Sequence, residues 1–332
     1  MVPARVKPTC GRANSSSAGV DVVSHGWYAP LWLIVVALIV AGTGIVHAED
    51  PDTQSALALR ARYEALHDRL GSNQFQRPLE VNSSQTADQL AGDLYSVVDY
   101  PFAHVHPALQ GAAQWCDILI LHPNVKGCRA SSTGSAALLA VILGRKYDAP
   151  QSQAIQANYA YRVVANTADY LQVQLTADTG PFGTRDHRIM LEAVPLDRER
   201  TFVHLAYSYR HGPVARSAMA AYLNSLGRNK VGFTIVETQS DGQPVYIAGV
   251  RGMVERNAMR YYLAVVAYLG ALAVPPQERF EKRVADWFMF TERHARQLHE
   301  VEWSEYLNMK RREYARLPLS IPAPAIATTP QV

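Results

Sequence analysis

Apolar residues recur at three- and four-residue spacing along residues 255–274, ERNAMRYYLAVVAYLGALAV. Met259, Tyr262, Leu263, Val266, Leu269 and Ala273 share one helix face. The opposite face carries Ala264, Ala267, Tyr268 and Ala271, and no charge follows Arg260. A helix that is apolar all round is buried on both sides. At about 30 Å for twenty residues it also has membrane-spanning length, but its arginine-rich entry, its tyrosines and the alternating segments before it favour a core rod wrapped by a sheet. Glu255, Arg256 and Asn257 are expected to cap it, Asn257 being a good N-cap type.

The pattern upstream changes period. Residues 54–70 predict a helix with Leu57, Ala61, Ala65 and Leu66 on its apolar side, stopped by Gly71. A connector with a short strand at 79–81 follows. LYSVVDY (94–100) is β-rich and closed by Pro101, and 102–121 predicts two short helices divided at Gly111. Residues 131–135, SSTGS, read as a small-residue loop. Strands are expected at 137–143, 159–164, 171–176, 188–194 and 202–209, then a helix over 214–226. A hairpin over 233–236 and 245–250 turns at Asp241-Gly242.

Pro275-Pro276 ends the rod. Residues 278–317 predict a further amphipathic helix, with Phe280, Val284, Trp287, Phe288, Thr291, Ala295 and Leu298 as its stripe. Its first half is expected to cover the rod's second side, and its charged end, 300–316, to project or meet a partner. The Pro- and Ala-rich tail, 318–332, is expected to be disordered. The domain plan is therefore 1–48, 49–78 (helix and connector), 79–274 (main domain), 275–317 (helix) and 318–332 (tail).

The first 48 residues carry an address. No Asp, Glu, Lys or Arg lies between Asp21 and Glu49; Arg5, Lys7 and Arg12 precede an apolar run from Leu31 to Val40, and Val46-His47-Ala48 precedes Glu49. That layout predicts a signal peptide cleaved after Ala48, giving a periplasmic or secreted protein. An uncleaved inner-membrane anchor facing the periplasm, with membrane association through this segment, is the alternative. Cys116 and Cys128 then form an even pair in an oxidising compartment, and a disulfide is expected. A metal site from Cys116, His122 and Cys128 would lack a fourth ligand, and neither metal nor cofactor is expected. With 48% hydrophobic residues the chain can bury a large core. The net charge of +3 comes without a basic block, which gives no support to nucleic-acid binding.

Strand, two short helices, a run of antiparallel strands and a long helix is the order of a helix-grip fold. LYSVVDYPFAHVHPAL (94–109) and GVRGMVERNAMRYYLAVVAYLGAL (249–272) resemble the START-like superfamily of lipid-transfer domains and polyketide cyclases. The chain also resembles exported proteobacterial proteins of unknown function with a similar ERN-x-MRYYLA stretch. The resemblance implies an α+β fold, a curved antiparallel sheet around a long C-terminal helix, with additional N- and C-terminal helices. It also implies a hydrophobic cavity for an apolar small molecule, lipid- or isoprenoid-like. Tyr207, Tyr209, Met259, Tyr262, Leu263 and Val266 are its candidate lining. A cyclase- or hydrolase-like enzyme using the same cavity, and a structural module with a filled core, are the alternatives.

Chemistry beyond binding is sparse. No G-x-G-x-x-G, Walker loop, H-E-x-x-H or G-x-S-x-G occurs. No catalytic residue is assigned: His104 and His106 are two apart on a helix, Arg185, His187 and Arg188 sit at a strand start, and His204 lies on the other strand face from Tyr207 and Tyr209.

Overall fold

A computed structural model describes residues 51–133, 136–147, 154–225 and 227–317. The expected signal segment and tail therefore lie outside the described residues. Helix α1 (Pro51–Gly71) leads to β1 (Leu79–Gln85) and β2 (Gln89–Val98), then α2 (Phe102–Leu109) and α3 (Ala112–Leu119). Six strands follow: β3 (Val125–Thr133), β4 (Ala136–Leu143), β5 (Ile155–Asn166), β6 (Leu171–Thr179), β7 (Thr184–Pro195) and β8 (Thr201–His211). Among the described residues these pair, all antiparallel, in the order β1-β2-β8-β7-β6-β5-β4-β3. Helix α4 (Pro213–Asn224), a separate small ribbon of β9 (Ile235–Thr238) and β10 (Pro244–Tyr246), and the rod α5 (Gly249–Ala271) come next. This is the helix-grip architecture. No helix among the described residues is long and apolar enough to cross a membrane.

Alternation assigns the sheet's two faces. Leu90, Gly92, Leu94 and Ser96 of β2 face α5, as do Val203, Leu205, Tyr207 and Tyr209 of β8 opposite them. Contact is close at Gly92, where a Cβ would lie 3.2 Å from the Val254 carbonyl oxygen. The outer face carries Tyr95, Val97, Val194 and Phe202, which α1 covers with Ala56, Leu59, Leu66 and Leu70.

Three expectations need correction. The rod begins at Gly249, so Glu255, Arg256 and Asn257 are interior residues and do not cap it. Its early turns press so closely on the preceding loop that a Cβ at Gly252 would sit 2.7 Å from the Ile247 carbonyl oxygen. The expected hairpin strand over 245–250 therefore ends early, at Tyr246; Gly252 permits the close packing, and Gly249 takes a positive φ of 68° at the helix start. Second, Ser131–Thr133 belong to strand β3. Third, residues 275–317 form α6 (Arg279–Glu292), a single turn α7 (Ala295–Leu298) and α8 (Trp303–Ala315) after a short turn at Pro276–Glu278, so the long final helix is three. The charged end does not project. Tyr306, Met309 and Lys310 are fully buried, and Lys310 Nζ donates to the carbonyls of His122 and Val125, both at 2.9 Å.

Candidate functional site

Along the first half of α5 the seal between rod and sheet loosens. Leu205 and Ala258 are 0% exposed, whereas Tyr207 and Tyr261 each keep 8% and Asn257 is only partly buried. Aromatic rings gather at this point: Tyr207 lies 5.3 Å from Tyr261 and 5.7 Å from Tyr209, Tyr209 stacks on His187 at 5.3 Å, and Tyr261 stacks on His122 at 5.0 Å. Tyr159 of β5 completes the wall.

Burial sets the chemistry of this wall. It pushes Tyr159 up to about 12 and also raises Tyr207, Tyr209 and Tyr261, so each phenol is a neutral hydrogen-bonding group at ordinary pH. Burial, then the charges of Arg260, Lys310 and Lys146, hold His122 well below the usual imidazole range. Its Nδ1 accepts the Asn124 amide at 3.1 Å, while Nε2 is buried without a partner. The Asn257 side chain faces both His122 and Tyr207.

Of the residues expected to line a cavity, Tyr207 and Tyr209 stand on this wall. Tyr262 instead shares a 2.7 Å hydrogen bond with the Ser96 hydroxyl of β2. At 100° per residue, Met259 and Leu263 lie about 160° around the helix from Tyr261, and Val266 about 140°. They are buried in the apolar core and are not brought to the tyrosines. Periodicity selects the most apolar face of a helix, and on a rod covered from two sides that face is not the one meeting the tyrosine cluster. Asn257, Tyr261, His122 and Tyr159 were missed. The available signal was Asn257, a polar residue four before Tyr261 on the same face of the rod.

Glu255 is buried for a structural reason. Its carboxylate accepts from the backbone N–H groups of Phe233 (2.6 Å) and Thr234 (2.9 Å) and from the hydroxyls of Thr234 and Ser83. It therefore ties α5 to the loop before β9 and to β1. Cys116 of α3 and Cys128 of β3 are joined in a disulfide, so neither supplies a metal-binding thiolate. Among the described residues no His, Cys, Asp and Glu group is arranged to hold a metal ion.

A pocket of about 400 Å³ lies elsewhere, lined by Lys126, Arg129, Ile142, Gln156 and Arg316 among others. Ile142 and Gln156 point to the face opposite Val141 and Ala157, so this pocket is separate from the tyrosine cluster. The outer face also holds His204, whose Nδ1 lies 2.8 Å from Glu192 and whose Nε2 lies 2.9 Å from Asp93.

No family model and no curated protein matches the chain. Among solved structures it is similar to human StAR-related lipid transfer protein 5, with 10% identity, 52% of this chain and 90% of that one covered, and a TM-score of 0.29. Truncated norcoclaurine synthase from Thalictrum flavum matches at 12% identity over 43% of this chain and 90% of that chain, TM-score 0.31. A START superfamily protein from Mycobacterium smegmatis matches at 15% over 43% and 93%, TM-score 0.26. The fold is a helix grip, defined by its own strand order and its gripped helix; likeness at these scores carries no argument.

Proposed function

We propose that this is an exported binding protein that holds an apolar ligand, lipid- or isoprenoid-like, between the inner sheet face and α5. The observation that carries the reading is the cluster of Tyr207, Tyr209 and Tyr261 on the inner face beside the partly buried Asn257. A site of this kind is apolar and aromatic with a few placed polar groups, and neutral phenols with one amide suit that description. Export draws support from the Cys116–Cys128 bond, which belongs to oxidising compartments, and from the N-terminal layout. Cleavage after Ala48 would leave a mature chain whose mass begins at Glu49.

The test is a titration of the mature chain with N-phenyl-1-naphthylamine, an apolar fluorescent probe. Saturable one-to-one binding that weakens in Tyr207→Trp, whose larger ring crowds the tyrosine cluster, is expected. Absence of saturable binding would identify the domain as a filled structural module.

An enzymatic reading has one observation in its favour, the neutral His122 whose Nε2 is unpartnered beside Tyr261. Because Nδ1 accepts from the Asn124 backbone N–H, the proton of the neutral ring sits on Nε2, and that N–H can donate to a substrate oxygen. Turnover by the wild type that His122→Gln abolishes, with probe binding kept, would establish it.

A further inference from the structure

Beside Asn257 the rod presents two arginines one turn apart, Arg256 and Arg260, each only 1% exposed. Arg260 Nη2 lies 2.5 Å from Glu300 Oε1, and its Nη1 donates to Asn257 Oδ1 at 3.3 Å. Lys146, just after β4, meets the same Glu300 oxygen at 2.6 Å, and Lys230 approaches Oε2 at 3.8 Å. Arg256 donates to the Val231 carbonyl at 3.1 Å, and Tyr222 of α4 lies close to both guanidinium groups.

The charges do not balance. Four cations, Arg256, Arg260, Lys146 and Lys230, gather around one carboxylate, Glu300, which leaves an excess of three positive charges among the described residues. The Nε atoms of both arginines are buried with no hydrogen-bond partner. Buried guanidinium donors normally find acceptors, and an uncompensated buried charge is costly. Burial and then Arg260 lower Lys146 to about 8 and Arg256 to about 10, the response expected of cations crowded away from water. Arginine forks suit phosphate and carboxylate oxygens. Asn257 faces Tyr207 and His122 on one side and accepts from Arg260 on the other, so the cationic corner adjoins the tyrosine cluster.

We infer that this corner binds the anionic head group, phosphate or carboxylate, of an amphiphile whose apolar tail packs against the Tyr207–Tyr261 ring pair. The inference rests on the binding role proposed above and narrows its ligand to a charged amphiphile.

Calorimetry of the full mature chain with dodecyl phosphate, dodecanoate, dodecanol and inorganic phosphate separates the two claims. Either anionic amphiphile is expected to bind at least about tenfold tighter than the alcohol, the scale of one charge-assisted contact; which one binds tighter distinguishes phosphate from carboxylate. Because Arg256 and Arg260 are buried and their loss can unfold the chain, the diagnostic variant is the partly exposed pair Lys146→Met with Lys230→Met. It should reduce the anion-over-alcohol ratio severalfold. Equal binding of alcohol and anions would overturn the head-group inference while leaving the apolar site standing. Binding of inorganic phosphate alone, weakened by the double variant, would keep the anion site and remove the tail site. Binding of none of the four would overturn both.

Discussion

The indole N–H of Trp287 donates to the main-chain carbonyl of Arg260 at 3.1 Å, fixing α6 across the middle of α5. That carbonyl lies inside a helix, and a tryptophan fully buried against it shows how the rod's second side is closed. Val284, Trp287 and Leu298 belong to the same apolar core as Leu263 and Val266. Truncation after Val274 is therefore expected to expose this face and to cause aggregation or loss of a cooperative unfolding transition. Trp287→Ala alone should cost about 3–5 kcal/mol in urea unfolding. A truncated chain that stays monomeric and equally stable would make α6 an independent appendage.

The rod was legible because twenty residues nearly free of charge have few other places to go, and β6 was legible because Leu171, Val173 and Leu175 alternate with glutamines and threonine. Strand β3 was hidden because Ser131–Thr133 carry little β signal, and the strand is held by pairing to β4 and by the Cys128 bond. The break between α6 and α8 was hidden for a related reason. Glu300 sits in that linker, and what holds it is Arg260 and Lys146, forty and more residues away in sequence. The polar side of the site was the least visible: Arg256 and Asn257 resemble end-of-helix residues until the chain before them is known to be helical.

The Cys116–Cys128 bond ties α3 to the edge of the sheet through a sequence separation of 12. Closing a loop of that size restricts the unfolded chain by roughly 3 kcal/mol. Cys116→Ala with Cys128→Ala should lower stability by about that amount, and both cysteines should resist alkylation until reduced. Free thiols in freshly isolated native protein would contradict the bond.

Helix α8 is held by a charge. Lys310 Nζ donates to two backbone carbonyls and, at 2.7 Å, to Glu313, which also pairs with Lys126 at 3.0 Å. Lys310→Met removes the donor and leaves the two carbonyls unsatisfied with Glu313 half-paired. Breaking one partner of a buried pair typically costs about 3–5 kcal/mol. Denaturant unfolding should show that loss, and hydrogen exchange should show α8 opening ahead of the sheet. Unchanged protection along 303–315 would mean that Tyr306 and Met309 suffice to hold it.

His204 provides a pH test remote from the proposed site. Burial disfavours its charged form, but the hydrogen bonds to Asp93 and Glu192 outweigh burial, so its affinity for protons is raised above the ordinary value of 6.5. Burial likewise opposes ionisation of Glu192, and the hydrogen bonds from His204 and Tyr170 outweigh it, so Glu192 titrates below its ordinary 4.5. A raised histidine stabilises fully below the unfolded imidazole value and loses that contribution as pH rises through the folded value. A lowered glutamate stabilises above its unfolded value and loses that contribution as pH falls through the folded one. The two windows overlap between the glutamate and imidazole ranges, so the contribution should peak near pH 5.5, roughly midway between the two ordinary values. His204→Gln keeps hydrogen-bonding capacity but cannot become charged. The difference in unfolding free energy between wild type and this variant is therefore expected to be wider at about pH 5.5 than at about pH 8.5. Urea titrations at the two pH values measure it directly. A difference that stays constant, or widens at the higher pH, would show that His204 remains neutral between its two carboxylates.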